Sequence, residues 1–481
     1  MLKNPLTPIR LLSLAARGLD WQQQSHSSWL DLVSDRRFTW PILRHARPEV
    51  FLHDPFITNA PSVVLIGHSN GGQGAWYGLV HGSDQFIGGI VAAGYIKLEE
   101  YVSFGWRDLR HTADPTLTAV LDSSRTVFAN DVHASNLVGL PLLIKYGQRD
   151  DNVPPWHSRA MKALLDQWSD RSDIARKDWP RLVEVPGRGH WWDCILQEDD
   201  VQGHLSDLLD RTKTPQAPSR FTLTTVVPSV TQGRFGWHIR ETDVPGRIAR
   251  LDVQYVPRQD GAQAAKLQVS TSNVRTFTVG AVASGIDDDD DECDDWTSVA
   301  AITIDGHLIV LSQDSTECTV HCNEQGMWEL MSADIAEPRL LSPITLLLDR
   351  GPAFLVVLPS KALNASRQRR FASVARRWAQ SLMLYTSLSA TPVPDDSVST
   401  DELQSHSCIF LGGPEENEAL QRVAEQSRST DGKRAWSIDF IQHLGAGQFS
   451  VRGRPFGDAD TGACCGVRSP FPRVSAFSSL Y

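Results

Sequence analysis

Ser62-Val63-Val64-Leu65-Ile66-Gly67-His68-Ser69-Asn70-Gly71-Gly72 is the stretch on which the reading of this 481-residue chain turns. Its first five residues form a short apolar run, the kind buried in a parallel sheet. A Gly-rich turn follows at once, and residues 73–80 have a helix-like pattern. A serine nucleophile elbow needs this succession of strand, tight turn and helix. The serine occupies a strained turn, so Gly67 and Gly71, two residues to either side, must be small for strand and helix to pass closely. The helix start sets positive dipole beneath negative charge developing at Ser69. The backbone N–H of Asn70 is the expected oxyanion donor, a group whose loss typically costs ~10²–10³ in rate. Gly-x-Ser-x-Gly is common by chance; the flanking elements give it weight here.

Two further stretches have the same strand-then-loop form. Residues 141–146 are a further buried-strand candidate that leads into Gly147-Gln148-Arg149-Asp150-Asp151-Asn152-Val153-Pro154. This places a carboxylate beyond the carboxyl end of a strand, where open α/β sheets build their sites. Asp150 is the expected acid of a catalytic triad and Asp151 the substitute. The plainer alternative has both acids capping a helix that starts near Pro154-Pro155. Residues 181–185 lead into Pro186-Gly187-Arg188-Gly189-His190-Trp191-Trp192-Asp193, a Gly-flanked histidine free to swing over the sheet. The order Ser69, Asp150, His190 is the one expected of an α/β-hydrolase. For neighbouring residues the structural reading is preferred. His68 packs at the elbow, His157 begins a helix, and Trp191 and Trp192 pack the histidine loop or line a substrate pocket.

Around these motifs the chain reads as three units. Residues 1–212 alternate strand and helix, with a further buried strand at 86–93 and a helix at 158–168, the pattern of a parallel α/β sheet. Residues 218–335 turn β-rich, with short strands between turn residues. Residues 340–460 return to strand, helix, strand: apolar 354–357, a helical run at 367–386, and Cys408-Ile409-Phe410-Leu411 ending in Gly412-Gly413-Pro414. They read as a small α/β accessory domain. Residues 461–481 lack periodicity and are expected to be disordered.

Composition narrows the function classes. The net charge is −11, of which the run Asp287 to Asp291, Glu292, Asp294 and Asp295 supplies eight negative charges, leaving about −3 elsewhere. No nucleic-acid surface is expected. The acidic run reads as a solvated loop rather than a calcium site. Seven scattered cysteines do not make a disulfide framework. Cys318 and Cys322, with His321 between them, read as thiols or a local disulfide, since no second pair completes a metal site. No cofactor or metal is called for. No apolar run reaches the ~20 residues of a membrane span, and Leu11 to Ala16 is short of a signal-peptide core. The sequon at Asn364 is weak support for secretion, so the compartment stays open.

With the three motifs in place, the chain resembles the prolyl oligopeptidase family of serine peptidases, in its large multi-domain fungal form. Gly67 to Tyr77, Gly147 to Ser158 and Glu184 to Asp193 resemble that family's nucleophile, acid and histidine segments. Gly18-Leu19-Asp20-Trp21 resembles an upstream segment, and Thr391 to Asp396 and Leu411 to Asn417 resemble the carboxy-terminal accessory region. The resemblance implies Ser69, Asp150 and His190 as the triad, and Asn152 as a contact to a substrate carbonyl. It also implies several strands ahead of the elbow, of which the sequence displays few, and a second oxyanion donor and a propeller, which it does not display. The expected sheet is therefore incomplete on its amino-terminal side, from a chain truncated there. The expected function is serine hydrolysis of peptide or ester bonds through an acyl-enzyme. The alternatives are a feruloyl-type or carboxyl esterase using the same triad, and an impaired relative kept as a binding or scaffold protein.

Overall fold

A computed structural model of the chain describes residues 10–13, 63–101, 125–172, 180–210, 217–244, 246–256, 266–280, 301–310, 317–323, 325–331, 353–362, 364–386, 389–426, 441–445, 448–451, 454–456, 464–468 and 475–479. Residues 18–21, the 33–61 stretch and the acidic run at 287–295 lie outside these.

The first sheet is wholly parallel, and its spatial order repeats its chain order. It runs β1 (Arg10–Ser13), β2 (Val63–His68), β3 (Gly88–Ala92), β4 (Leu142–Gly147) and β5 (Arg181–Val185). Helices α1 (Asn70–His81), the short α2 (Leu98–Tyr101), α3 (Trp156–Arg171) and α4 (Asp199–Asp210) are interleaved with it. Alternation along each strand sorts side chains to two faces. Leu65, Val91, Leu142 and Ile144 share a core with Leu79, Val80, Met161 and Leu165 of α1 and α3. Ile66, Ile90, Leu143 and Val183 pack with Val201 and Leu205 of α4. Helices on both faces of a parallel sheet are the α/β-hydrolase arrangement. Strand β1 lies within a segment in which the sequence offered few strand candidates; its four residues pair in parallel with Val63 to Ile66.

The middle of the chain is a two-sheet β structure. One sheet orders β12 (His307–Val310), β11 (Ala301–Ile304), β9 (Lys266–Ser272), β8 (Ala249–Val256) and β6 (Arg220–Thr225). The other orders β14 (Trp328–Met331), β13 (Glu317–Cys322), β10 (Val274–Gly280) and β7 (Trp237–Thr242). Phe221, Leu251, Val253 and Ile302 from the first meet Trp237, Phe277, Val320 and Trp328 from the second in one apolar core. Cys318 and Cys322 stand four residues apart on β13, a separation along a strand that a disulfide cannot bridge, so they form no local disulfide with each other.

The last sheet orders β16 (Ser389–Pro394), β15 (Ala353–Leu358), β17 (Ser407–Leu411), β22 (Ser475–Ser479) and β21 (Cys464–Arg468), all parallel except β21. Helix α5 (Ala365–Thr386) covers one face through Phe371, Ala375 and Trp378. Helix α7 (Glu418–Gln426) covers the other through Ala419, Leu420 and Val423, and the short α6 (Thr400–Ser405) lies between them in sequence. The small strands β18 (Ile441–Gly445), β19 (Gln448–Val451) and β20 (Arg454–Phe456) form a separate antiparallel meander. The stretch after Gly462, expected to be disordered, thus contains β21 and β22. Their Ser- and Cys-rich composition hides them from a pattern search, and what defines them is main-chain pairing, of β22 with β17 and of β21 with β22.

Candidate active site

Ser69 follows β2 directly and has φ 58°, a left-handed conformation that is costly for a residue with a Cβ. Its N–H donates to the Ala92 carbonyl at 2.9 Å and its carbonyl accepts from Gln73 N–H, which fixes the elbow between β3 and α1. The turn is as tight as the glycines suggest. A Cβ on Gly67 would lie 2.0 Å from the Gly71 carbonyl oxygen, and one on Gly72 would lie 2.7 Å from the Gly94 Cα.

Asp150 lies in the loop after β4. Its Oδ1 accepts the N–H groups of Asn152 at 3.0 Å and Val153 at 2.8 Å. The carboxylate therefore shapes its own loop. Helix α3 begins beyond it at Trp156, so Asp150 does not cap that helix. The β5 loop is clamped against this one: Arg149 N–H donates to Arg188 O, and Gln148 N–H donates to Val185 O. A Cβ on Gly147 would meet the Gly189 carbonyl oxygen at 2.1 Å.

These constraints bring the three loops together. His190 Nδ1 lies 3.0 and 2.9 Å from the two carboxylate oxygens of Asp150, and its Nε2 lies 2.8 Å from Ser69 Oγ. A carboxylate only accepts, so Nδ1 carries the proton; Nε2 is then the acceptor for the Ser69 hydroxyl. The Asp150 side chain is fully buried and the His190 ring retains slight exposure. Asp151 is exposed and stands outside this chain of contacts.

The remaining candidates are positioned by residues the sequence did not single out. The Asn70 side-chain oxygen accepts from Tyr95 Oη at 2.9 Å, and the Asn152 side-chain oxygen accepts from Tyr101 Oη at 2.9 Å. The two tyrosine rings stack at 4.4 Å, nearly parallel. His157 sits in the first turn of α3, and its Nδ1 accepts from Ile96 N–H. Burial pushes its pKa down to about 4, so it stays neutral. His68 donates from Nε2 to the carbonyl of His190 at 2.9 Å and meets Trp191 edge-on. Burial is the largest influence on it and lowers its pKa. Trp191 is 57% exposed, whereas Trp192 is buried and donates its indole N–H to Glu198. Among the described residues no group of three or more His, Cys, Asp or Glu side chains is arranged to hold a metal ion, and no helix is long and apolar enough to cross a membrane.

Residues 49–206 match the model of the prolyl oligopeptidase family, peptidase family S9. The match covers about a third of the chain. A curated relative, an uncharacterized secreted protein of Arthroderma benhamiae, is 30% identical over 215 residues, which are 44% of this chain and 22% of that protein. The chain thus spans about a fifth of the relative's length. Solved structures similar to the chain include Porphyromonas gingivalis dipeptidyl peptidase 4 (17% identity, 33% of this chain, 20% of that one, TM-score 0.23). Pyrococcus horikoshii acylaminoacyl peptidase is another (16% identity, 33% and 23%, TM-score 0.21), as is SOBER1 of Arabidopsis thaliana (16% identity, 38% and 66%, TM-score 0.22). The family-model match over residues 49–206 agrees with the resemblance noted in the sequence and supports a serine-type hydrolase.

Proposed function

We propose that the chain is a serine hydrolase that cleaves peptide bonds, with Ser69 as nucleophile, His190 as general base and Asp150 as the acid that orients it. One observation carries this reading: the unbroken contact from Asp150 through both nitrogens of His190 to Ser69 Oγ, at 2.8–3.0 Å. His190 Nε2 takes the hydroxyl proton as Oγ attacks the carbonyl carbon, then returns it to the leaving amine, and an acyl-enzyme remains. Water, deprotonated by the same imidazole, releases the acid. The oxyanion is met by the Asn70 N–H at the start of α1, where the helix dipole favours negative charge. The Asn152 amide, its oxygen held by Tyr101, offers its N–H to a substrate carbonyl. An ester would enter the same chemistry, with an alcohol in place of the amine as leaving group.

A fluorophosphonate probe tests the assignment. The wild type is expected to label and Ser69→Ala not to; equal labelling of both would end it. Turnover of a p-nitrophenyl ester that disappears in His190→Ala separates an active hydrolase from an impaired relative that keeps the geometry without the rate.

A further inference from the structure

The position of Lys145 in the middle of β4 is unusual. A strand buried on both faces normally carries aliphatic residues, yet this side chain is fully buried. Its ammonium donates to Glu198 Oε2 at 2.6 Å and to Asp200 Oδ1 at 2.5 Å. Both acids belong to the segment that follows His190 and enters α4. The other oxygen of Glu198 accepts the indole N–H of Trp192 at 2.9 Å. Trp192 packs on Ala92, the strand end to which Ser69 N–H is bonded. Lys145 pulls the Glu198 carboxyl below its usual range, and so keeps it an acceptor for both donors.

We infer that Lys145, Glu198 and Trp192 are positioning residues that fix the His190 loop against the sheet. This inference rests on the triad proposed above. A buried ion pair seldom adds stability over an apolar side chain of similar volume, because desolvation offsets the attraction. It does add direction. Here an ammonium held in the rigid sheet dictates the place of Glu198, Glu198 dictates the rotation of the Trp192 indole, and Trp192 lies two residues from the base. His190 has to reach Ser69 Oγ within hydrogen-bond distance, and a misplacement of about 1 Å can cost ~100-fold. The segment from Pro186 to Leu196 has no helix or strand of its own to hold it.

The test compares the full chain with Lys145→Met, Glu198→Gln and Trp192→Phe, using p-nitrophenyl acetate turnover and hydrogen exchange of residues 186–197. Lys145→Met is expected to lower kcat about 10- to 100-fold with KM within about twofold. Trp192→Phe loses one hydrogen bond but keeps the packing, and is expected to lower kcat about 3- to 10-fold. Glu198→Gln keeps an acceptor for the indole and should fall between them. Exchange in 186–197 should accelerate while that of α1 does not. Unchanged kcat with unchanged exchange overturns the inference, as does a change in KM alone or acceleration throughout the hydrolase sheet. Should Lys145→Met fail to fold, Trp192→Phe decides by the same criteria. If the wild type neither labels nor turns over, the triad reading fails by itself; local acceleration of exchange then still supports the clamp, and its absence overturns it.

Discussion

At the residue scale the site depends on which nitrogen of His190 holds its proton. Asp150→Asn keeps the shape of the side chain and an acceptor for the Asn152 and Val153 N–H groups. Its amide would also face Nδ1 with a donor, favour the other tautomer, and leave Nε2 protonated and unable to accept from Ser69. Turnover is expected to drop by ~10³–10⁴ while the circular dichroism spectrum stays unchanged; retained activity would remove Asp150 from the role. Two other histidines set an acid limit. His133 and His157 are buried, and burial lowers each pKa from 6.5 to about 4. The unfolded chain takes up these protons at a higher pH than the native one, so their neutral burial supports stability above about pH 6.5. That support is lost as pH falls toward 4, at about 1.4 kcal/mol per pH unit for each histidine. Denaturation followed across this window should show a shallower pH slope in His133→Gln than in the wild type; parallel slopes would show that His133 is not the sensor.

At the element scale the site is a matter of close backbone passage, and this is where the sequence was most informative. The stretches before Gly67 and Gly147 are strands β2 and β4, apolar apart from Lys145 because a strand covered on both faces favours such residues. The mixed stretch Arg181 to Val185 before Pro186 is β5, last in the sheet order. The glycines mark the points where no Cβ fits. Gly67→Ala and Gly147→Ala therefore each drive a methyl into a main-chain carbonyl, at 2.0 and 2.1 Å. Each is expected to destabilise by at least about 2–3 kcal/mol and to abolish fluorophosphonate labelling. A melting temperature within a degree or so of wild type would show that the passage can open at little cost. Other features were illegible for physical reasons. Tyr95, Tyr101 and Lys145 act through contacts between segments far apart in the chain, and no spacing rule reports such contacts. Strands β21 and β22 take their place from main-chain pairing in the last sheet, which leaves no period in the sequence. Asp150 offered two roles from its position alone, and the hydrogen bonds to Asn152 and Val153 place it in its own loop instead of on helix α3.

At the scale of the whole molecule the texture change near residue 219 suggests a boundary, but the contacts across it are those of a shared interior. Asn136, fully buried, spends its whole amide there. Its Nδ2 donates to the carbonyls of Val80 in α1 and Thr224 in β6, and its Oδ1 accepts the Thr224 N–H at 2.7 Å. His81 Nε2 donates to Val127 O, so its Nδ1 accepts from the Thr231 hydroxyl at 2.9 Å. Arg234, buried, reaches back to Asp84 and to Val138 O. Val226 and Val227 complete the apolar cluster over α1, and the same cluster continues to Phe371 and Trp378 of α5. A hydrolase sheet cut away after residue 212 would lose these partners and expose the helix that carries Ser69. Asn136→Leu probes this within the full chain. The substitution leaves the Thr224 N–H and two carbonyls buried without their partner, at about 1–3 kcal/mol each. A loss of about 3 kcal/mol corresponds to a melting temperature lowered by about 6–12 °C for a unit of this size. The 1–212 fragment should melt lower still and bind a hydrophobic dye that the intact chain excludes. A fragment that melts with the intact chain, together with an Asn136→Leu variant of unchanged stability, would mean that the β structure rides on the hydrolase sheet without supporting it.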